Sequence, residues 1–578
     1  MTYIRDRHPT RMSNLMVTYL EPTTTFGIPA CRLSLPAPLT CRIRAARRCT
    51  AINPWQMTRN MTEKALPQGS PDRAIQDILH EAMERHQQGD LFEADLLYAQ
   101  TLRKDPDNQQ ALRLRGILAR EHGDLERSLE LLQRACELAP DDAEPLGEIA
   151  LAHMAAGDLH EAERTLRAAL LLDPTAVKTL TNLGALLQHR GHIKPAIDCY
   201  QQALAIDADD IEVRCNLAKA LVDTGDIDQA LAECAIAIEK TNGHPYALAT
   251  QGAVQTDAKH YAAARSALEQ ATLLEPDDDM ALVNLGLACH ELGDAGAATR
   301  ALSQAVKANP YNARAIADLA NCLTATGDVA SALELSGSFL QHNPGERLVV
   351  AAYALALHND GQMTEARQLT DCTNLVHEIE LPCPANFTNR EEFNEAIANL
   401  IRNDPLLLST PTSKSTEGGD QTGELDLHSG ALEDLGHLFN DAIRQAIDSY
   451  LAAGFEDHPL MAPASEDWSL RAWGTLLRSG GRQIPHMHPL AWLSGVYYAS
   501  LPDQMDAASD EAGWLEFGRP PERFFRKNEP EVRRYQPAEG KLILFPSWFW
   551  HQTIPFTADR HRVSIAFDVM PKSMLRIL

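Results

Sequence analysis

Residues 486–498 read HMHPLAWLSGVYY and decide how the C-terminal part of this chain folds. Two histidines stand two places apart, directly before an apolar and aromatic run. Two later stretches belong with it, GKLILFPSWFWH at residues 540–551 and RVSIAF at residues 562–567. Residues two apart on a strand face the same side. His486 and His488 can therefore point together into a barrel, where His551 from a later strand would complete a metal-binding face.

The composition sets the broad limits. A chain of 578 residues is too long for one core, so two or three domains are expected. A net charge of −27 disfavours a phosphate-binding surface, and we predict no nucleic-acid partner. Eleven cysteines without a CxxC pair favour a reducing compartment, and hence a cytoplasmic location. No apolar run is long enough to span a membrane.

The first 60 residues differ from the rest, with nine arginines, no lysine and only Asp6 and Glu21 as acids. Such a composition suits an organelle transit peptide. Because no clear amphipathic stretch is visible, a disordered tail, or an upstream start codon with Met61 as the true first residue, is favoured over the transit peptide. We predict residues 1–70 to be a disordered or non-native extension.

The middle of the chain is an array with a period of 34 residues. Its turns fall at Gly89, Gly123, Gly157, Gly191, Gly225, Lys259, Gly293, Gly327 and Gly361. A small residue precedes and follows each turn at fixed distances, and proline usually comes seventeen places after it. This spacing predicts a helix, a tight turn, a second helix, and a proline that ends it. The period and positions resemble the tetratricopeptide repeat over residues 75–370, which implies an all-α superhelix.

The resemblance to tetratricopeptide repeats implies a groove that binds a protein or peptide partner. Asn182, Asn216 and Asn284 occupy one repeat position, with Thr250 between them. A row of amides at constant rise could hydrogen-bond an extended peptide, and it resembles the asparagine ladder of O-linked N-acetylglucosamine transferases. Alternatively, asparagine is common at this repeat position and simply faces solvent.

Beyond residue 370 the period ends. Helical spacing predicts helices over 390–403 and 430–453, and the Ser-, Thr- and Gly-rich stretch 409–422 predicts a loop between them. Strands are predicted from residue 468 onward, at 468–478, 493–500, 514–517, 541–545 and 562–569. Two helices packed on an antiparallel barrel of about eight strands fit this order.

The three quoted stretches, in this order, resemble the 2-oxoglutarate- and Fe(II)-dependent oxygenases, in particular the bacterial and phage branch related to prolyl hydroxylases. The resemblance covers residues 375–578. It implies a double-stranded β-helix, or jelly roll, with flanking helices. The predicted fold class is thus multidomain, an all-α tetratricopeptide superhelix followed by a jelly-roll domain. The resemblance also implies Fe(II) as cofactor and 2-oxoglutarate as cosubstrate.

Carried over residue by residue, the resemblance assigns metal binding to His486 and His551. It assigns the binding of the distal carboxylate of 2-oxoglutarate to Arg562, since a guanidinium can form two parallel hydrogen bonds with a carboxylate. Arg560 is the rival. Tyr498 is the preferred aromatic contact of the cosubstrate, although strand alternation allows Tyr497 instead.

His488 departs from the family motif, which has an acid there. We predict that His488 is the third ligand, in a catalytic set of His486, His488 and His551. Three imidazoles suit Fe(II) but also Zn(II), which would leave the barrel hydrolytic or inactive. The other possibility is that His488 only orients His486 and that the third ligand comes from elsewhere.

The leading functional hypothesis is a dioxygenase that hydroxylates a protein or peptide recruited by the repeats. The alternative is a non-catalytic repeat scaffold or adaptor with a degenerate metal-binding barrel. A glycosyltransferase is disfavoured, because the C-terminal part is too short and too rich in strands for a doubly wound α/β sheet.

Overall fold

The computed structural model describes residues 71–409, 414–464, 467–502 and 511–571. The predicted N-terminal extension, residues 1–70, lies outside the described residues. The described residues divide into two compact units, with the boundary in the sequence between Leu183 and Gly184. In the described part, no helix has both the length and the apolar character needed to cross a membrane.

Paired antiparallel helices make up the described chain as far as residue 370. They are α1 Pro71–Gln87, α2 Leu91–Lys104, α3 Gln109–Glu121, α4 Leu125–Leu138, α5 Ala143–Ala156, α6 Leu159–Leu172, α7 Val177–His189, α8 Ile193–Ile206, α9 Ile211–Thr224, α10 Ile227–Lys240, α11 Pro245–Asp257, α12 Tyr261–Leu274, α13 Asp279–Glu291, α14 Ala295–Ala308, α15 Ala313–Ala325, α16 Val329–Leu340, α17 Arg347–Asp360 and α18 Met363–Thr370.

The turn between paired helices has a local cause in the sequence. Each turn glycine has a positive φ, which suits a residue without a Cβ and ends the first helix. Lys259, in the one turn without glycine, is driven to the same region with φ +60°. An aspartate usually follows; the carboxylate of Asp294, for example, accepts from the backbone N–H of Ala297 and caps α14.

The small residues lie where the paired helices approach closely. A Cβ added to Gly252 of α11 would lie 2.4 Å from Cγ of Leu268 on α12, which is far inside van der Waals contact. The first unit buries a core of its own, which includes Ala82, Tyr98 and Leu114. The period therefore specifies the packing as well as the helices.

The second unit contains the later helices and all ten strands that the structure describes. After the short helix α19 Cys372–Leu375 come β1 His377–Glu380, α20 Arg390–Arg402, β2 Leu408–Ser409, β3 Thr416–Glu424 and α21 Gly430–Ala452. The remaining strands are β4 Trp468–Gln483, β5 Leu493–Ser500, β6 Leu515–Phe517, β7 Arg533–Tyr535, β8 Lys541–Pro546, β9 His551–Thr553 and β10 Arg562–Pro571.

The strands form two antiparallel sheets. The larger has seven strands in the order β1-β8-β5-β10-β4-β3-β2, and the smaller has three in the order β7-β6-β9. A sheet-rich domain therefore follows the helical array, as predicted. The prediction of a loop over 409–422 was wrong for residues 416–422, which belong to β3; residues 410–413 lie outside the described part of the chain. β3 is held by pairing with β4, and its polar, glycine-rich sequence carries no apolar alternation that would indicate a strand.

The two faces of the larger sheet have different roles. On one face, Phe567 of β10 stacks on Phe439 of α21 with ring centroids 4.0 Å apart, and Tyr497 of β5 donates its hydroxyl to Asn394 of α20. α20 and α21 thus cover this face. Neighbouring residues of a strand face opposite sides of the sheet. Asp568, next to Phe567, and Tyr498, next to Tyr497, therefore lie on the other face.

Candidate metal centre

His486, His488 and His551 converge on one point. One ring nitrogen from each lies within 4.8 Å of the others. The ring centroids of His486 and His551 are 4.1 Å apart, and those of His488 and His551 are 5.1 Å apart. The backbones of His486 and His551 bond to each other in both directions, with N···O distances of 3.0 and 2.9 Å. Main-chain pairing therefore brings together histidines that are 65 places apart in the sequence.

Each imidazole is oriented by a hydrogen bond through Nδ1. In His486 it bonds the carbonyl of Ile484 at 2.8 Å, and in His551 the carbonyl of Phe549 at 2.9 Å. A carbonyl can only accept, so each Nδ1 carries the proton and each Nε2 keeps a lone pair. Histidines that bind a metal are commonly oriented in this way.

Burial keeps His486 and His551 neutral. Burial, with a smaller contribution from His488, lowers the pKa of His486 to about 3. Burial, together with His486 and His488, holds the pKa of His551 well below its usual range. His551 is only 4% exposed. Near neutral pH both imidazoles are therefore unprotonated, which is the form that binds metal ions.

His488 is supported by a carboxylate. Its Nδ1 lies 2.6 Å from Oδ1 of Asp568, and the same oxygen accepts from the hydroxyl of Ser494 at 2.6 Å. Asp568 and Ser494 are register partners on β10 and β5. Position 488 lacks the acid of the family motif, but Asp568 places a carboxylate one hydrogen bond further out, where it orients the imidazole of His488.

Arg562 lies on the same face of β10 as Asp568. It is 1% exposed, and its guanidinium carbon sits 4.8 Å from the ring centroid of Tyr498. One guanidinium nitrogen donates to the carbonyl of Gly513 at 2.6 Å. Burial lowers the pKa of Arg562, and in the described part of the chain no carboxylate forms an ion pair with it. A buried guanidinium of this kind favours an anionic ligand.

Several buried polar atoms near this face have no hydrogen-bond partner among the described residues. They are Nε of Arg562 and the hydroxyls of Tyr498, Thr475 and Thr553. Thr475 and Tyr498 flank Ser564 on the neighbouring strands, while Thr553 is two places after His551. Buried polar atoms are normally satisfied, so this set fits a polar ligand such as an oxo acid.

The rivals of the predicted cosubstrate residues lie elsewhere. Arg560 is exposed and donates to the carbonyl of Leu501 at 3.3 Å. Tyr497 is buried on the opposite face against α20. The geometry therefore brings Arg562 and Tyr498 to the histidine face, and not Arg560 or Tyr497.

Aromatic rings wall the histidines. Trp473 stacks on His488 with centroids 5.6 Å apart, and Phe517 and Phe545 lie 5.9 and 4.7 Å from His551. Sequence reasoning did not single out Trp473, Thr475, Thr553 or Ser494. The only available signal was strand alternation. It predicts which residues of β4 and β5 share the face of the histidines, but only once the register of these strands is known.

The three groove asparagines are not equally accessible. Asn216 is 2% exposed, whereas Asn182 and Asn284 are half-buried. Each lies in the first helix of its pair, in α9, α7 and α13 respectively. Their predicted role in binding a peptide stays a prediction.

Comparison with protein families places these features in two known classes. Models described as tetratricopeptide repeats match residues 79–143, 119–184, 189–225, 250–313 and 290–338. The model described as "Putative 2OG-Fe(II) oxygenase" matches residues 471–568, which contain all three histidines and Arg562. The chain therefore carries a tetratricopeptide-repeat array and, at its C-terminus, a domain of this oxygenase family. No curated protein matches it.

Solved structures similar to this chain include the Cut9-Hcn1 hetero-tetramer of the APC/C, with 18% identity over 46% of this chain and a TM-score of 0.37. The match spans 52% of that chain, about half of its length. PilF of Pseudomonas aeruginosa has 17% identity, covering 36% of this chain and 94% of that chain at a TM-score of 0.31. YrrB, a TPR protein, has 22% identity, covering 32% and 97% at a TM-score of 0.26.

Proposed function

We propose that this protein is a 2-oxoglutarate- and Fe(II)-dependent dioxygenase that hydroxylates a protein or peptide recruited by its repeats. The observation that carries the proposal is the convergence of three imidazoles on a sheet face that also carries a buried arginine, with which no carboxylate of the described residues forms an ion pair. Fe(II) and 2-oxoglutarate, when bound, supply the reduction of dioxygen that converts a substrate C–H into C–OH, with succinate and carbon dioxide as co-products.

The donor set fits the metal. His486, His488 and His551 would hold it through Nε2, because the Nδ1 atoms are committed to Ile484, Asp568 and Phe549. Three imidazoles on one side leave positions open for other ligands. The Asp568 carboxylate adds the negative charge that the ligand set lacks, which favours retention of a divalent cation.

The surrounding residues fit the cosubstrate. Arg562 would pair with its distal carboxylate, with the ring of Tyr498 beneath the guanidinium. The hydroxyls of Tyr498, Thr475 and Thr553 would satisfy its other oxygens. Trp473, Phe517 and Phe545 would exclude water around the histidines. The chain's own residues thus bind, orient and dehydrate the reactants.

The test is metal analysis of protein purified without oxygen, followed by an assay for 2-oxoglutarate-dependent release of succinate. Fe(II) binding with succinate release supports the proposal. Zinc bound without turnover, or no turnover with Fe(II), would instead favour the adaptor.

Asp568 provides a prediction that does not depend on turnover. Asp568→Ala removes the acceptor of His488 Nδ1 and should weaken Co(II) binding by about 10–100-fold, the usual cost of losing such a partner. Asp568→Asn keeps an acceptor oxygen and should lose less. Asp441→Ala, which removes an exposed carboxylate on α21, is the matched control. Equal Co(II) affinity in Asp568→Ala and the wild type would contradict the role.

The groove asparagines provide a second prediction, with two different outcomes. Asn284 is half-buried and keeps part of its surface exposed, so Asn284→Ala should weaken the binding of peptides selected on the wild-type protein by about 2–12-fold, as expected for one hydrogen bond. Asn216 is buried, so Asn216→Ala should instead cost about 1 kcal/mol of stability. Fluorescence anisotropy and thermal melts separate the two effects. Unchanged peptide affinity in Asn284→Ala would remove this asparagine from the groove.

A further inference from the structure

Helix α17, in the last repeat, forms hydrogen bonds with two segments that adjoin the metal centre. Its first residue, Arg347, donates Nε to the carbonyl of Pro489 at 3.3 Å, and Pro489 directly follows His488. Near its other end, Asn359 reaches the connection between β6 and β7. Both residues are nearly buried, at 6% and 5% exposed. One rigid element of 14 residues, roughly 21 Å long, thus bonds to two segments adjoining the metal centre.

The connection between β6 and β7, residues 518–532, is here called the strap. Asn359 binds its main chain from both directions. The backbone N–H of Lys527 donates to Oδ1 of Asn359 at 2.8 Å, and Nδ2 of Asn359 donates to the carbonyl of Phe525 at 3.3 Å. A side-chain amide that accepts from one backbone N–H and donates to a nearby carbonyl satisfies two main-chain groups that no strand pairs. Asn359 therefore fixes the position of the strap.

Two further helices of the array hold the strap. His290 of α13 bonds the carbonyl of Arg523 through Nε2 at 3.1 Å. Arg367 of α18 bonds Glu531 through two nitrogens, at 3.2 and 2.9 Å. These contacts lie on both sides of the Asn359 contact along the chain, so the strap is bound over most of its length.

The strap leads directly to His551. β6 ends at Phe517, which is the register partner of His551 on β9, and the strap begins at the next residue. Gly518 donates its N–H to the carbonyl of Trp550 at 2.9 Å, while Phe524 packs on the ring of Trp550 with centroids 5.4 Å apart. A displacement of the strap would therefore displace the strand that carries His551.

The beginning of α17 is part of the sheet domain's core. Val350 and Ala351 belong to the same apolar cluster as Trp492 and Trp548. The helix is thus anchored to the sheet domain by apolar packing near its first turn as well as by the hydrogen bonds at its two ends.

We propose that α17 is a brace that sets the separation of the His488 and His551 segments, with Asn359 as its positioning residue. The last repeat is then part of the metal centre and not only a recruiting arm. This inference rests on the proposed function, in that it takes the three histidines as the metal ligands.

The test uses the full chain with Co(II) as the probe and hydrogen exchange as an independent measurement. In Asn359→Leu, the Lys527 amide should exchange about tenfold faster and Co(II) binding should weaken by about fivefold, as expected for lost hydrogen bonds of ordinary strength. Asn359→Asp keeps the acceptor of the Lys527 N–H and should give smaller changes in both. Asn403→Ala removes an exposed asparagine just after α20, whose side-chain amide donates to the carbonyl of Asn399, and should change neither.

Each outcome decides the proposal. Faster exchange at Lys527 with unchanged Co(II) affinity overturns the brace, and so does unchanged exchange. If Asn359→Leu does not fold, the decision passes to Asn359→Asp and to Arg367→Gln, which loosens the strap at an exposed ion pair. Wild-type protein that binds no Co(II) rejects the proposed function together with the brace. If the wild type binds Co(II) and the Asn359 and Arg367 variants bind it with equal affinity, the brace alone is rejected.

Discussion

His551→Ala is expected to abolish metal binding and succinate release together. The substitution leaves two imidazoles, and losing a direct ligand should cost more than the roughly 100-fold in affinity that loss of an outer partner causes. The fold should survive, because the pairing of residue 551 with residue 486 runs through the backbone. Titration with Co(II) and an assay for succinate measure the two effects separately.

The matched control is His561→Ala, which removes an exposed histidine just before β10. It should bind Co(II) as the wild type does. Circular dichroism of His551→Ala confirms whether the sheet is intact, and His551→Gln repeats the experiment with less loss of volume. Co(II) affinity within about tenfold of the wild type in His551→Ala would show that the ligand set lies elsewhere.

The helical array and part of the metal centre follow from periodicity in the sequence. The 34-residue period specifies helices, turns and close approaches, because each repeat needs the same small and turn residues. Alternation along strands brings His486 and His488 to one side and continues the face of Arg562 to Asp568. Local rules of this kind need no knowledge of which strands are neighbours.

The parts that could not be predicted depend on register and on long-range contacts. Asp568 meets His488 only because β10 pairs with β5 in one register. β3 has no apolar alternation, and it forms because its backbone pairs with the edge of β4. Arg347 and Pro489 lie 142 places apart, and no periodicity relates a repeat helix to a loop of another fold.

The second large effect concerns the cosubstrate. Arg562→Ala should raise the 2-oxoglutarate concentration needed for half-maximal turnover by about 10–100-fold, because a hydrogen bond to a charged group is worth about 1.5–3 kcal/mol. Arg562 does not contact the three histidines in the geometry described above, and metal affinity should stay near that of the wild type. A metal titration beside the concentration dependence of succinate release checks both points.

Arg560→Ala is the matched control, since it removes the same side chain two places earlier, where the guanidinium is exposed and bonds Leu501. It should leave the 2-oxoglutarate dependence unchanged. Arg562→Lys keeps the charge but loses the planar fork, so it should recover only part of the affinity. Truncation of a buried side chain leaves a cavity that lowers stability; a melting curve of Arg562→Ala with its midpoint well above the assay temperature excludes unfolding as the cause of the loss. If Arg562→Ala and Arg560→Ala show equal cosubstrate dependence, a different residue binds the distal carboxylate. The pocket lined by Tyr498, Thr475 and Thr553 would then have no charged residue assigned to the cosubstrate.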